Sequence, residues 1–207
     1  MRILHAADHR VMPWKNGGGV TIEIAVFPES ADLDAFEWRV SMATVASDGP
    51  FSMFPNVDRT LSILEGEGIV LSIDGLADET LTCASAPFAF MADRPAAARL
   101  LGGSITDLNI MTRRGRWTQR VAKISQSRIR LTFDAATTTV VFCANGSTSV
   151  SSAAEQVTLG MHDATLIQGA ACEVASDTGS ELYVVMLEHD PEKLQTFRTR
   201  SCGRTKA

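Results

Sequence analysis

The chain has 207 residues, 45% hydrophobic and 21% charged, with 24 acidic and 19 basic side chains giving a formal charge of -5. That length suits one large domain or two small ones, and buries enough apolar surface to fold without metal or disulfide staples. The acidic balance argues against a nucleic-acid-binding protein, which usually carries a basic stripe or patch. No run reaches the roughly 18 apolar residues that a membrane helix needs.

Residues Met1 to His9 are mixed and polar and lack the apolar core of a signal peptide. The four cysteines, Cys83, Cys143, Cys172 and Cys202, are widely spaced and form no CxxC pair. The expectation is a cytoplasmic protein with reduced thiols.

In chain order the elements are short, alternating and rich in β-branched residues. Thr21 to Val26 alternates polar and apolar, the period of a half-buried strand. Trp38 to Ala43 does the same, with Trp38, Val40 and Met42 on one face and Arg39, Ser41 and Ala43 on the other. Leu61 to Leu64, the turn Glu65-Gly66-Glu67-Gly68, and Ile69 to Ile73 read as strand, turn, strand. Arg128 to Phe133, Thr138 to Cys143, Ala164 to Gln168 and Leu182 to Leu187 supply further strands. No window of a dozen residues carries a capped helical stripe. The pattern predicts an all-β sandwich or barrel.

The halves also repeat. Leu61–Leu64, a Gly turn, Pro87–Phe90 and Asp107–Met111 correspond in order and spacing to Val140–Cys143, Asn145-Gly146, Ala164–Ile167 and Leu182–Met186. This degenerate repeat predicts two packed β-barrels, one over 1–115 and a second over 116–190, followed by a basic, polar and loosely ordered tail over 191–207.

Three clusters could carry chemistry. In the first, Met12 to Glu23, the triplet Gly17-Gly18-Gly19 permits close approach of chain or ligand, and Lys15, Asn16, Thr21 and Glu23 surround it. It lacks the GxxxxGK[ST] spacing and the following helix of a phosphate loop. The second runs from Trp38 through Asp48-Gly49-Pro50-Phe51-Ser52 to Arg59. Here Arg39 and Ser41 lie opposite the apolar face of their strand, facing either solvent or a barrel interior. The third is Asp107-Leu108-Asn109-Ile110-Met111-Thr112-Arg113-Arg114. Asp and Asn are poor strand formers, so their alternation at 107 and 109 requires a hydrogen-bonded corner or a ligand. The second repeat has Leu182 and Val184 at those places, which puts any polar site in the first half.

Metal chemistry finds no support. A metal-binding cupin uses a His-x-His pair, a Glu and a later His, whereas His5, His9, His162 and His189 contain no such pair. His5 and His9 are expected to be exposed. No GxSxG elbow or local Cys–His pair suggests a nucleophile.

Taken together, the stretches MPWKNGGGVTIEIA, WRVSMATVASDGPFSMFPNVDR, LSILEGEGIVL and DLNIMTRR resemble the HutD family, also called HutD/Ves, over residues 10 to 114. Asn56 stands where a Gly is usual after Phe-Pro, which Asn tolerates because it adopts the left-handed conformation. Ala92-Asp93 stands where Gly-Asp is expected. The resemblance implies an all-β double cupin, two RmlC-like jelly-roll halves packed together, and an association with bacterial histidine catabolism. It implies no established enzyme activity and no cofactor. The residues it carries over as ligand-binding are Lys15, Asn16, Thr21, Glu23, Arg39, Ser41, Arg59, Asp107, Asn109 and Arg113.

The implied function is a metal-free protein that binds a small anionic metabolite, such as formylglutamate or urocanate, and limits flux through that pathway. The expected partners are that metabolite and, as an open option, a second copy of the chain, with neither nucleic acid nor membrane. Lys15, Arg39 and Arg59 could supply positive charge to a carboxylate, Arg by a bidentate fork. Two rival classes stay open. One is a metal-independent isomerase or lyase with Glu23 or Asp107 as base and Lys15 as acid; the other is a structural dimerisation module.

Overall fold

The computed structural model describes residues 1–14, 18–125, 128–132, 136–169 and 171–190. Lys15, Asn16, the Phe133 end of one expected strand, Cys202 and the 191–207 tail lie outside the described residues. Among the described residues the one helical element is a 3-10 turn at Ala6–Asp8, and everything else that is regular is strand.

Three strands, β1 (Arg2–Leu4), β2 (Arg10–Pro13) and β3 (Gly19–Phe27), precede two runs of eight. The first run is β4 (Trp38–Val45), β5 (Gly49–Pro50), β6 (Val57–Glu65), β7 (Ile69–Ile73), β8 (Glu79–Leu81), β9 (Phe88–Met91), β10 (Ala96–Leu100) and β11 (Ile105–Arg113). The second is β12 (Trp117–Ile124), β13 (Arg128–Leu131), β14 (Thr138–Asn145), β15 (Thr148–Ser151), β16 (Gln156–Leu159), β17 (Ala164–Gln168), β18 (Cys172–Ser176) and β19 (Glu181–His189).

The first half pairs a sheet ordered β2-β3-β4-β11-β6-β9 with one ordered β5-β10-β7-β8. The second half pairs β1-β17-β14-β19-β12 with β13-β18-β15-β16. Shifting each label of the first run by eight reproduces the sheet order of the second, so a repeat that is faint in sequence is complete in topology. Both runs are jelly rolls. One strand crosses the division expected at residue 115: β1 pairs antiparallel with β17, Arg2 opposite Leu166, and so belongs to the sheet of the second half.

Both faces of the larger sheets are covered, which is why β4, β6 and β11 are buried almost throughout. Trp38, Val40, Met42, Leu108 and Ile110 pack across the seam between the halves against Val140, Phe142, Tyr183, Val185 and Leu187. Fully burying such side chains stabilises by roughly 1.5–3 kcal/mol each, so the seam holds the halves together. The opposite faces close each barrel separately. In the first half Leu61 and Ile63 meet Ile69, Leu71 and Ile73; in the second Val141, Leu182 and Val184 meet Val150, Leu159 and Val174.

Two local expectations resolve here. Asn56 takes a φ of 56°, the left-handed conformation anticipated for it. His9 is buried rather than exposed, with Nε2 3.0 Å from the carbonyl oxygen of His162.

Candidate functional site

Because the apolar face of β4 is spent on the seam, its other face must point into the first barrel. Register then stacks the inward residues of adjacent strands in rows. Met111 on β11 lies between Arg39 of β4 and Arg59 of β6. Asn109 lies between Ser41 and Leu61, and Asp107 between Ala43 and Ile63. Beyond β4, Glu23 sits opposite Ser41 and Thr21 opposite Ala43. Polar rows from four strands therefore share one interior.

They line one side of a cavity of about 600 Å³, to which Arg39, Ser41, Arg59, Asp107, Asn109 and Thr21 all contribute. The other walls are apolar and include Met12, Trp14, Leu33, Phe51, Phe54 and Met111. That mixture, an apolar container with a few convergent polar groups, is the usual composition of a small-molecule site.

The polar groups form two hydrogen-bonded sets. Arg59 donates through Nε (2.7 Å) and Nη2 to Oδ1 of Asn109. Asn109 in turn donates through Nδ2 to Oδ1 of Asp107 at 2.5 Å. Asn109 thus stands between a cation and an anion that make no direct ion pair. Arg39 donates through Nε to Oε2 of Glu23 at 2.6 Å and through Nη1 to Oγ of Ser41 at 3.4 Å. The face of Phe51 lies 4.5 Å from the Arg59 guanidinium carbon, a cation–π contact that fixes the side chain.

The network is incomplete. Arg39 and Asp107 are 4% and 1% exposed, yet Nη2 of the first and Oδ2 of the second have no partner of hydrogen-bond geometry among the described residues. Burial pushes Asp107 up to about 6, against the pull of the Arg59 charge, the Asn109 amide and the peptide group of Ala43. Burial also brings Arg59 down to about 10, with Asp107 opposing and Arg39 adding to the shift. Leaving a buried donor and a buried acceptor unmade is costly, and a visiting molecule is the natural way to make both.

Residues flanking the glycine-rich stretch, Met12, Pro13, Trp14 and Thr21, also line the cavity. Trp14 donates its indole N–H to the Thr21 hydroxyl at 2.7 Å. A side chain at Gly19 would meet the Thr44 carbonyl oxygen at 2.3 Å, so the backbone approach there requires glycine, and it would also meet the Trp14 ring at 3.0 Å. Lys15 and Asn16, expected nearby, lie outside the described residues.

Of the residues singled out from sequence, Arg39, Ser41, Arg59, Asp107, Asn109 and Thr21 come together. Glu23 reaches the group through Arg39. Arg113 does not join it. It donates to the carbonyls of Phe36 (3.0 Å), Pro55 (3.1 Å) and Asp34 (2.6 Å) and lies over the Phe36 ring, tying loops at the barrel end. Arg114 works similarly on Asp58 and Asp93, at 2.7 and 2.8 Å. Sequence reasoning missed the apolar wall. Phe51 and Phe54 stood in one of the quoted motifs, but their inward direction depends on a loop fold that no periodicity encodes.

Among the described residues no three His, Cys, Asp or Glu side chains gather as metal ligands. Among the described residues no helix is long and apolar enough to cross a membrane. Cys83, Cys143 and Cys172 are free thiols.

A family model described as HutD matches residues 6–184. An uncharacterized 21.2 kDa protein in the hutC 3' region of Pseudomonas putida is 35% identical over 171 residues, 82% of this chain and 87% of that protein. Protein Ves of Cronobacter sakazakii is 41% identical over 113 residues, covering 53% of this chain and 60% of Ves. The solved structure of HutD from Pseudomonas fluorescens SBW25, in a formate condition, matches with a TM-score of 0.78 and 30% identity, over 91% of this chain and 98% of that one. A cupin 2 conserved barrel protein from Leptotrichia buccalis, 10% identical, covers 83% of this chain and 89% of its own with a TM-score of 0.52. That likeness concerns the fold, and the fold is a double cupin.

Proposed function

The chain belongs to the HutD family, and we propose that its first barrel is a receptor for a small carboxylate metabolite, an intermediate of histidine breakdown such as formylglutamate or urocanate, through which it modulates that pathway. One observation carries this reading: two buried guanidinium groups, Arg39 and Arg59, line one cavity of about 600 Å³ with more donors than the surrounding acceptors take up. Each guanidinium has five N–H donors in a planar fork that matches a carboxylate. Glu23 and Asn109 accept from only some of them. The anion would supply the missing acceptors and a counter-charge at the same time.

The pathway assignment is drawn from the relatives. The Pseudomonas putida protein is named for its place in the hutC 3' region, and the Pseudomonas fluorescens structure carries the name HutD. A receptor needs no further chemistry from the site, and its effect on the pathway would follow from holding the metabolite or from a conformation that the metabolite stabilises.

Calorimetry with formylglutamate, urocanate and glutamate tests the reading. At least one of the first two should bind the wild-type chain, and Arg59→Ala should lose that binding. No heat and no thermal stabilisation from any of the three would overturn it. A second reading rests on Asp107, whose carboxyl is pushed up to about 6 and so could take a proton from a substrate near neutral pH. Turnover of either intermediate, lost in Asp107→Asn with binding retained, would favour that enzyme over the receptor.

A further inference from the structure

The floor of the cavity offers more than positive charge. Asp107 contributes a second, opposite demand. Its Oδ1 is occupied by the Asn109 amide, while Oδ2 lies buried without a partner among the described residues. Arg59 makes no hydrogen bond to it; its Nε and Nη2 donate to Oδ1 of Asn109. Ala43, its row neighbour on β4, and Ile63 on the other side have no polar side chain, and of the two only the peptide group of Ala43 pulls on the carboxyl. An acceptor so placed repels a second carboxylate and welcomes an N–H or O–H.

Four residues of β11 separate the row of Arg39 and Met111 from Asp107, about 13 Å of strand at the usual rise per residue. Arg39 leans back along that distance, since it contacts Ser41 of the next row. Both residues line the same cavity, so one small molecule can touch both groups.

We propose that Asp107 is the specificity-determining residue of this pocket, accepting a hydrogen bond from the ligand, so that the site selects a carboxylate that also carries an N–H or O–H donor and discriminates against anions made of acceptors alone. This rests on the carboxylate-receptor reading and narrows its ligand class. Asn109 is the part that makes the two demands coexist. Its carbonyl oxygen holds the cation and its amide holds the anion, so the two keep their separate vacant valences instead of neutralising each other.

A pair of probes isolates the effect. N-acetylglutamate and 2-acetoxyglutarate are dicarboxylates that differ by one N–H replaced with an ester oxygen. At pH 8, where the Asp107 carboxylate only accepts, N-acetylglutamate should bind the wild-type chain at least about tenfold more tightly, the size expected for leaving one buried acceptor unmatched. Among the described residues the charged groups facing Asp107 are Arg59 on β6, Arg39 on β4 and, through Arg39, Glu23 on β3, and no histidine lines the cavity. At pH 5 Asp107 becomes a donor itself, so the preference should shrink. In Asp107→Asn, which offers both an N–H and a carbonyl, it should fall to about threefold or less at pH 8. Equal affinity of the two probes for the wild-type chain, or a tenfold preference that survives in Asp107→Asn, overturns the assignment while leaving the carboxylate receptor in place. Binding of neither probe, together with no binding of formylglutamate or urocanate, removes the receptor reading and this one with it. The wild-type pair decides the matter even if the variant fails to fold.

Discussion

The two barrels share a strand order and differ in what fills them. In the first, the inward rows of β11 carry Asp107 and Asn109 beside Arg39 and Arg59. The corresponding rows of β19 carry Leu182 and Val184, which meet Cys143 and Val141 of β14 in a continuous apolar interior. The same scaffold is therefore closed by packing in one half and left open around a polar network in the other. The difference teaches where each half gets its stability. The second barrel is held by burial of its own core. The first draws on the seam and on the apolar end of its interior, which frees the rest of the cavity for groups that cost stability.

The largest expected effect comes from forcing the first barrel's chemistry onto the second. Leu182→Asp would bury a carboxylate without any partner, and should cost at least about 4 kcal/mol or prevent folding, as measured by urea titration. A variant that folds with less than half that loss would show the second interior to be far less apolar than its packing implies.

Next is pH. Asp107 binds its proton more tightly in the folded chain, at about 6, than at its ordinary value of 3.8. Its contribution is therefore present at pH values below about 4 and is lost as pH rises toward 6. The loss is on the order of 3 kcal/mol, read as a falling denaturation midpoint over that window. Asp107→Asn should flatten this slope, and an unchanged slope would place its origin elsewhere.

Arg59→Ala should abolish ligand-induced stabilisation, roughly 2.7 kcal/mol for ligand at about 100 times its dissociation constant. It should also raise Asp107 further, since its main compensating charge is gone, and an NMR titration of the carboxyl would report it. Arg113→Ala tests the boundary of the site. Losing charged hydrogen bonds to three carbonyls should cost about 2 kcal/mol by thermal unfolding, with ligand affinity unchanged. Weakened affinity would return Arg113 to the pocket. The smallest effect is expected from Thr21→Val, which removes the acceptor of the Trp14 indole. About 1 kcal/mol is expected, accompanied by a shift in Trp14 fluorescence.

Much of this comparison was legible before any coordinates. Alternation in Trp38–Ala43 and at Asp107–Met111 identified the strands and sorted their residues by face, because side-chain direction in a strand has a period of two. The contrast of Asp107 and Asn109 with Leu182 and Val184 pointed to the first half, where register stacks the polar rows. Arg113 shows the limit. It continues the same motif, yet it sits at the end of β11, where the partner strands give way to loops, and its reach to three carbonyls depends on how those loops fold back.

The sequence by itself determined the class of fold and the sorting of residues into polar and apolar rows, since these follow from local periodicity and from residue types along single strands. Only the tertiary structure decided which face of those strands looked inward. That choice belongs to the seam, where Trp38, Val40, Met42, Leu108 and Ile110 lose more water against Phe142, Tyr183 and Val185 than any polar face could recover. The apolar faces went to the partner half, and the polar rows were left to enclose a cavity.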